Sequence, residues 1–296
     1  MVVKVVTDST SDLPADYAKS LGVTIVPLNV AFGTESFKDS VTITADEFYE
    51  RLTGGSVLPT TSQPSPGDFV EVYDRLGQDA DGIVSVHLSS KESGTHNSAV
   101  QAMALTAATC PIDVVDSEQF SMGLGMIVIK AAEAANRGAS VEEVAAVARG
   151  AIGLSQCIAS FDTLEYLEKG GRIGKAKALV GSLLRLKPAI IIRDGQVHEL
   201  GKTRTLVKSI AQLKETARSF APVDALCVLH STTPDTAKQI ADDLSDLLPE
   251  GAEPFVARFG PVIGTYTGPG ALGIGLIQKE GAGGWPDLLS RRAGED

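Results

Sequence analysis

The stretch HLSSKESGTHNSA, His87 to Ala99, places four hydroxyl side chains (Ser89, Ser90, Ser93 and Thr95) within seven residues, directly after the apolar run GIVSV. Such residues do one of three things: attack as nucleophiles, hold an anion with neutral donors, or cap a helix. A serine nucleophile needs a general base within hydrogen-bond reach, and in many hydrolases it sits in a Gly-x-Ser-x-Gly elbow. Ser93 lies in ESGTH, outside that pattern. The histidines are His87, His96, His198 and His230, and His96 is only three residues from Ser93. The runs VVTDSTSD (5–12) and VVDSEQFS (114–121) share the hydroxyl-rich character, and PTTSQPSPG (59–67) adds a fourth cluster. Neutral donors gathered from several strand ends favour an anion cradle over a nucleophile. Asp8 and Asp116 lack the third acid that a magnesium site needs, so capping is their expected role. The glycine-rich run GTYTGPGALGIG (264–275) lacks the lysine and Ser/Thr of a phosphate loop and precedes a strand pattern, which excludes a dinucleotide fingerprint.

Elements must bring these clusters together. VVKVVT, VTIVPLNV (23–30), GIVSVHL and IDVVDS read as strands alternating with the helical patterns LPADYAKSLG, SPGDFVEVYDRLG, NSAVQAMALTAA and GLGMIVIKAAEAANRG. TADEFYERLTGG carries a capping box, Thr44 with Glu47. Alternation of this kind predicts a parallel sheet covered by helices on both faces, with ligands beyond the carboxyl ends of its strands. A second capping-box helix, SVEEVAAVARGA (Ser140, Glu143), reads as a bridge to a second unit. That unit opens with a hairpin, PAIIIRDGQVHEL, turning at Asp194-Gly195. It continues with the helices LVKSIAQLKETARSF and TAKQIADDLSDLL and the strands DALCVLH, PFVARFG and ALGIGLIQ. The predicted fold is α/β in two domains: a three-layer α/β/α domain with a parallel sheet (1–153), then a two-layer α/β domain with a mixed sheet (154–280). A loosely attached tail (281–296) completes it.

Composition narrows the function. The chain has 296 residues, 43% of them hydrophobic, and a formal net charge of -11. An acidic surface excludes non-specific nucleic-acid binding and disfavours adsorption to anionic lipid. No signal peptide is expected, and no apolar run approaches the roughly 20 residues of a membrane span. Cys110, Cys157 and Cys227 are scattered and read as buried reduced thiols. A cytoplasmic protein is expected. Between Lys169 and Lys208, ten Lys/Arg face two acids. This is either a solvated basic face or a docking surface for an acidic or phosphorylated partner.

VVTDSTSDLP, PTTSQPSPGDF, LSSKESGT, VVDSEQFSMGLG, LEYLEKGGRIG, LKPAIIIRDGQV and GTYTGPGALGIG occur in this order over residues 2 to about 278. Together they resemble the DegV-like fatty-acid-binding family. The resemblance implies a non-enzymatic, monomeric carrier with no catalytic residue, metal or cofactor. It implies that a long-chain fatty acid lies between the two domains. It also implies that the carboxylate is presented to a separate ATP-dependent fatty-acid kinase, which makes an acyl phosphate. Carried over by motif, the carboxylate contacts fall on Thr61, Ser62, Ser93, Gly94, Thr265 and Tyr266. Arg172 and Arg204 are the partner- or phosphate-facing positions. Many relatives place histidine where this chain has Tyr266, a hydrogen-bond donor that does not carry protons at neutral pH. ALVGSLL and PAIII are candidate slot walls. The alternative class is a small-molecule phosphotransferase or hydrolase that uses the Ser/Asp strand ends.

Overall fold

The computed structural model describes residues 1–179 and 186–282. The chain begins with β1 (Val3–Asp8), α1 (Ala15–Ser20), β2 (Val23–Val26), β3 (Asn29–Phe32), β4 (Glu35–Lys38), α2 (Ala45–Gly54) and β5 (Thr60–Ser62). It continues through α3 (Pro66–Leu76), β6 (Gly82–His87), α4 (Thr95–Met103), β7 (Ile112–Asp116), α5 (Met122–Asn136) and α6 (Val141–Ile152). Then come β8 (Ser155–Ser160), α7 (Glu165–Lys169), β9 (Lys187–Arg193), β10 (Gln196–Thr203) and α8 (Leu206–Ser219). The last elements are β11 (Val223–His230), α9 (Pro234–Asp243), β12 (Phe255–Arg258), α10 (Pro261–Thr267) and β13 (Leu272–Gln278).

The near-continuous apolar runs of β1 and β6 form the centre of a four-stranded parallel sheet, ordered β2-β1-β6-β7. Strands buried on both faces need no polar alternation, which is why VKVVTD and GIVSVH read as solid apolar blocks. A six-stranded mixed sheet, β10-β9-β8-β13-β11-β12, takes up the second half, with β11 and β12 parallel and the other pairs antiparallel. This is the two-domain α/β architecture expected from the sequence. Asp194 and Gly195 take positive φ at the β9–β10 turn, as a two-residue hairpin requires. The predicted capping boxes at Thr44/Glu47 and Ser140/Glu143 form, and a third appears at Ser65/Asp68.

Two of the predicted elements differ from expectation. VTIVPLNV is not one strand: Pro27, without an N–H, ends β2, and β3 leaves for a separate antiparallel sheet, β4-β3-β5. The predicted bridge α6 lies against α5, β6 and β7, whereas α5 spans the two sheets, facing β1 and β6 on one side and β8 and β13 on the other. Twelve of its fifteen residues are buried, as a helix apolar all round must be. Contact this close needs a missing side chain. A Cβ on Gly275 of β13 would lie 2.4 Å from Met122 Cβ and 3.0 Å from its backbone carbon. Gly275→Ala is therefore expected to destabilise the fold by about 1–3 kcal/mol, read from denaturant midpoints. An unchanged midpoint would mean that α5 shifts freely. The tail expected to be loose falls, from residue 283, outside the described residues.

Candidate functional site

The carboxyl ends of β1, β6 and β7 lie side by side, and a cavity of about 280 Å³ opens between them and the face of the six-stranded sheet. Its walls are apolar. Period-two geometry sends Ile190 and Ile192 of β9 into it while Ile191 joins the core beneath α8. Cys157 and Ala159 of β8 and Phe161 just past its end face it in the same way, with Leu88, Phe120 and Phe259 closing the sides. The Cys157 thiol is pushed up to about 12 by burial, so it acts here as a small apolar group.

Polar side chains gather at one end. Thr61 Oγ1 on β5 lies 2.5 Å from the Tyr266 hydroxyl on α10, joining elements 205 positions apart. The Arg172 guanidinium stands over the Tyr266 ring, 5.5 Å from its centroid. Arg172 donates to the carbonyls of Gly170 (2.9 Å) and Glu92 (3.4 Å) and meets no acid within salt-bridge distance among the described residues. Gly170 must lack a side chain, because a Cβ there would reach the Tyr266 ring at 2.5 Å. Ser93 Oγ lies 2.9 Å from Thr95 Oγ1 at the start of α4, and Ser62 Oγ accepts from Asn29 (3.3 Å). Glu92 also lines this end, and burial raises its carboxyl pKa against the pull of Arg172.

A Ser–His–Asp array is present at the ends of β1 and β6, built from residues that the sequence pattern did not pair. Asp8 Oδ2 lies 3.0 Å from His87 Nδ1, and His87 Nε2 lies 2.6 Å from Ser85 Oγ, which accepts from the Tyr73 hydroxyl at 2.9 Å. Every member is fully buried, and Asp8 also takes the amides of Thr10 and Leu88, both at 3.0 Å. No substrate reaches such a group; it is a satisfied core network that fixes the β1 and β6 ends. His96 makes no hydrogen bond to Ser93, so the nucleophile–base pair is not formed. Asp116 caps the loop amides of Ser90 and Glu118. Among the described residues no group of three or more His, Cys, Asp or Glu is placed to hold a metal ion.

Of the residues singled out from sequence, the structure brings Thr61, Ser62, Ser93, Tyr266 and Arg172 to this end of the cavity. Gly94 sits just behind, under the Gln63 amide, where a Cβ would come within 2.4 Å. Thr265 faces away and donates to Pro261 O (3.0 Å). Arg204 lies exposed just beyond the end of β10 and is not among the residues that line the cavity. In the basic run, Lys169, Lys187 and Arg193 pair with Glu165, Asp162 and Asp194. Residues 180–184, five of the seven in the candidate wall ALVGSLL, lie outside the described residues.

The model of the DegV family, described as an uncharacterised protein family, matches residues 2–279. The chain belongs to the DegV family. A DegV domain-containing protein of Streptomyces coelicolor is 41% identical over 276 residues, covering 92% of this chain and 97% of the relative. The DegV family protein of Thermus thermophilus, solved as a fatty-acid-binding structure, superposes with a TM-score of 0.86 at 36% identity, covering 94% and 99% of the two chains. DegV of Bacillus subtilis, described as a fatty acid binding protein, gives 0.85 at 34% identity, covering 94% and 100%. A stearic-acid-binding protein of Eubacterium ventriosum gives 0.85 at 26% identity, covering 93% and 98%. In this DegV chain, α10 went unread from sequence because Gly264 within it and Gly268 and Gly270 just after it resemble a loop. Gly264 is there to clear Phe48 and Tyr49 of α2, whose atoms a Cβ would meet at 2.7–2.8 Å.

Proposed function

We propose that this protein binds a long-chain fatty acid and presents its carboxylate to a separate ATP-dependent kinase, without catalysing a reaction itself. The observation that carries the reading is the cavity: apolar walls with a cluster of hydroxyl donors beside Arg172 and Glu92, and no accessible nucleophile–base pair among the described residues. Each methylene buried against such walls contributes about 0.8 kcal/mol, so the tail dominates affinity. Hydroxyl donors each add about 0.5–1.5 kcal/mol and fix the head. Residues 1–153 supply Thr61, Ser62 and Ser93 for that head; residues 154–280 supply Tyr266, most of the walls and Arg172. Arg172 is exposed, held by two carbonyls and the Tyr266 ring with no acid paired to it among the described residues, and suited to a phosphate-bearing partner.

Gentle denaturation followed by mass spectrometry should release fatty acid from the purified protein. Finding none, with no uptake of added fatty acid, would end this reading. Ser93→Ala is expected to weaken ligand retention; if it instead abolished a turnover shown by the isolated protein, the protein would be an enzyme. Arg172→Ala should keep its lipid and lose most kinase-coupled phosphorylation, and full coupled activity would remove the reason for placing the partner there.

A further inference from the structure

Glu92 is an acid at the mouth of a cavity proposed to take an acid. It lines the same end as Ser93 and Arg172, half-buried, and among the described residues its carboxylate makes no hydrogen bond and no ion pair within 4.0 Å. The other charged and titratable groups around it are engaged or turned elsewhere. Lys91 reaches Glu118 (3.9 Å) and the Asp194 carbonyl (2.7 Å), and Asp116 takes the Ser90 amide. Burial lowers the pKa of His96 in the first turn of α4, and the Tyr266 phenol is joined to Thr61. Among the described residues the cation that acts on the Glu92 carboxyl is Arg172, which donates to the Glu92 carbonyl (3.4 Å) and forms no ion pair with the carboxylate.

We propose that Glu92 is a specificity-determining residue that couples ligand binding to proton uptake: a carboxylate head seated by Ser93, Thr61 and Tyr266 shares the mouth with Glu92, and the pair holds one proton between them. This rests on the carrier reading above. Two carboxyl groups in one partly dry site do not both ionise readily, so the second charge is disfavoured until a proton enters. Burial already raises the Glu92 pKa in the free protein, and a bound carboxylate raises it further. The sign follows from linkage. The complex binds more protons than the free protein, so affinity for an anionic head falls as pH rises through the interval between the two Glu92 pKa values. A head without charge escapes this penalty, so Glu92 also sets a preference against heads of higher negative charge.

The test is titration of the full-length protein and of Glu92→Gln with dodecanoate, at about pH 5.5 and about pH 8, in buffers of differing ionisation heat to count protons. Glu92→Gln should bind about fivefold to tenfold more tightly than wild type near pH 8, with a smaller difference near pH 5.5, and take up less than half as many protons. Glu92→Ala should show the same flattened profile, which a merely structural role would not produce. If both variants keep the wild-type pH dependence and proton count while dodecanoate binds, the inference is overturned and the carrier reading stands. If the wild-type protein binds no dodecanoate at either pH, the carrier reading itself falls.

Discussion

Replacing Ala159 by phenylalanine is expected to lower affinity for a long-chain fatty acid by about a hundredfold, while affinity for a chain of six to eight carbons changes little. β8 alternates strictly: Cys157, Ala159 and, just past its end, Phe161 face the cavity, Ile158 packs into the core beneath α8, and Ser160 hydrogen-bonds to Ser209 of α8. A phenyl group at 159 therefore projects into the slot. It takes the room of about four methylenes, and at about 0.8 kcal/mol each their loss is near 3 kcal/mol, or a little over a hundredfold. Competition binding with palmitate and octanoate would read the difference, with thermal unfolding confirming that the variant folds. Equal affinity for palmitate in variant and wild type would show that the acyl chain does not run along β8.

How far such a slot can be read from sequence is itself a matter of geometry. The hydroxyl clusters after β1, β6 and β7 were legible because a parallel sheet puts consecutive strand ends on one side, and those strands are neighbours. The β9–β10 turn was legible because Asp-Gly is the residue pair that tolerates two positive φ angles. The slot walls were not. PAIII reads as core whichever way its period-two face points, and nothing local says that Ile190 and Ile192 line a cavity while Ile191 packs beneath α8. The three-stranded sheet was missed because β4 (ESFK) and β5 (TTS) are short and polar, with too few apolar positions to show alternation. The Asp8–His87–Ser85 network joins residues up to 79 positions apart, a separation that no motif spans. Tyr266 could be named from the family resemblance, but its bond to Thr61 depends on α10 being a helix, which Gly264 and the glycines after it hid.

α10 also carries the largest expected pH effect. Two buried carboxyls face its first residues: Asp12 accepts from the Gly260 amide (2.9 Å) and the Ser121 hydroxyl (2.5 Å), and Asp39 from the Val262 amide (3.4 Å) and Ser40 (2.9 Å). Burial raises Asp12 well above the ordinary carboxylate range. It raises Asp39 to about 6, against hydrogen bonds from Ser9, Ser40 and Val262. In the unfolded chain Asp39 returns to its ordinary value of 3.8. Between those values the folded state alone keeps the proton, so stability from this group is full below the lower value and falls as pH climbs to the upper one. From about pH 4.5 to about pH 7.5 the loss is about 2 kcal/mol. Asparagine does not titrate, so Asp39→Asn should gain about 2 kcal/mol on wild type over that interval, whatever its offset at the acid end. Paired urea denaturation curves at the two pH values would measure it, and the histidines and surface acids cancel because both proteins carry them. A constant gap between the curves would mean that Asp39 holds no proton at the base of α10. A gap that widens as expected would make the helix presenting Tyr266 to the mouth more firmly seated in acid than in base, the same direction in which Glu92 should favour an anionic head.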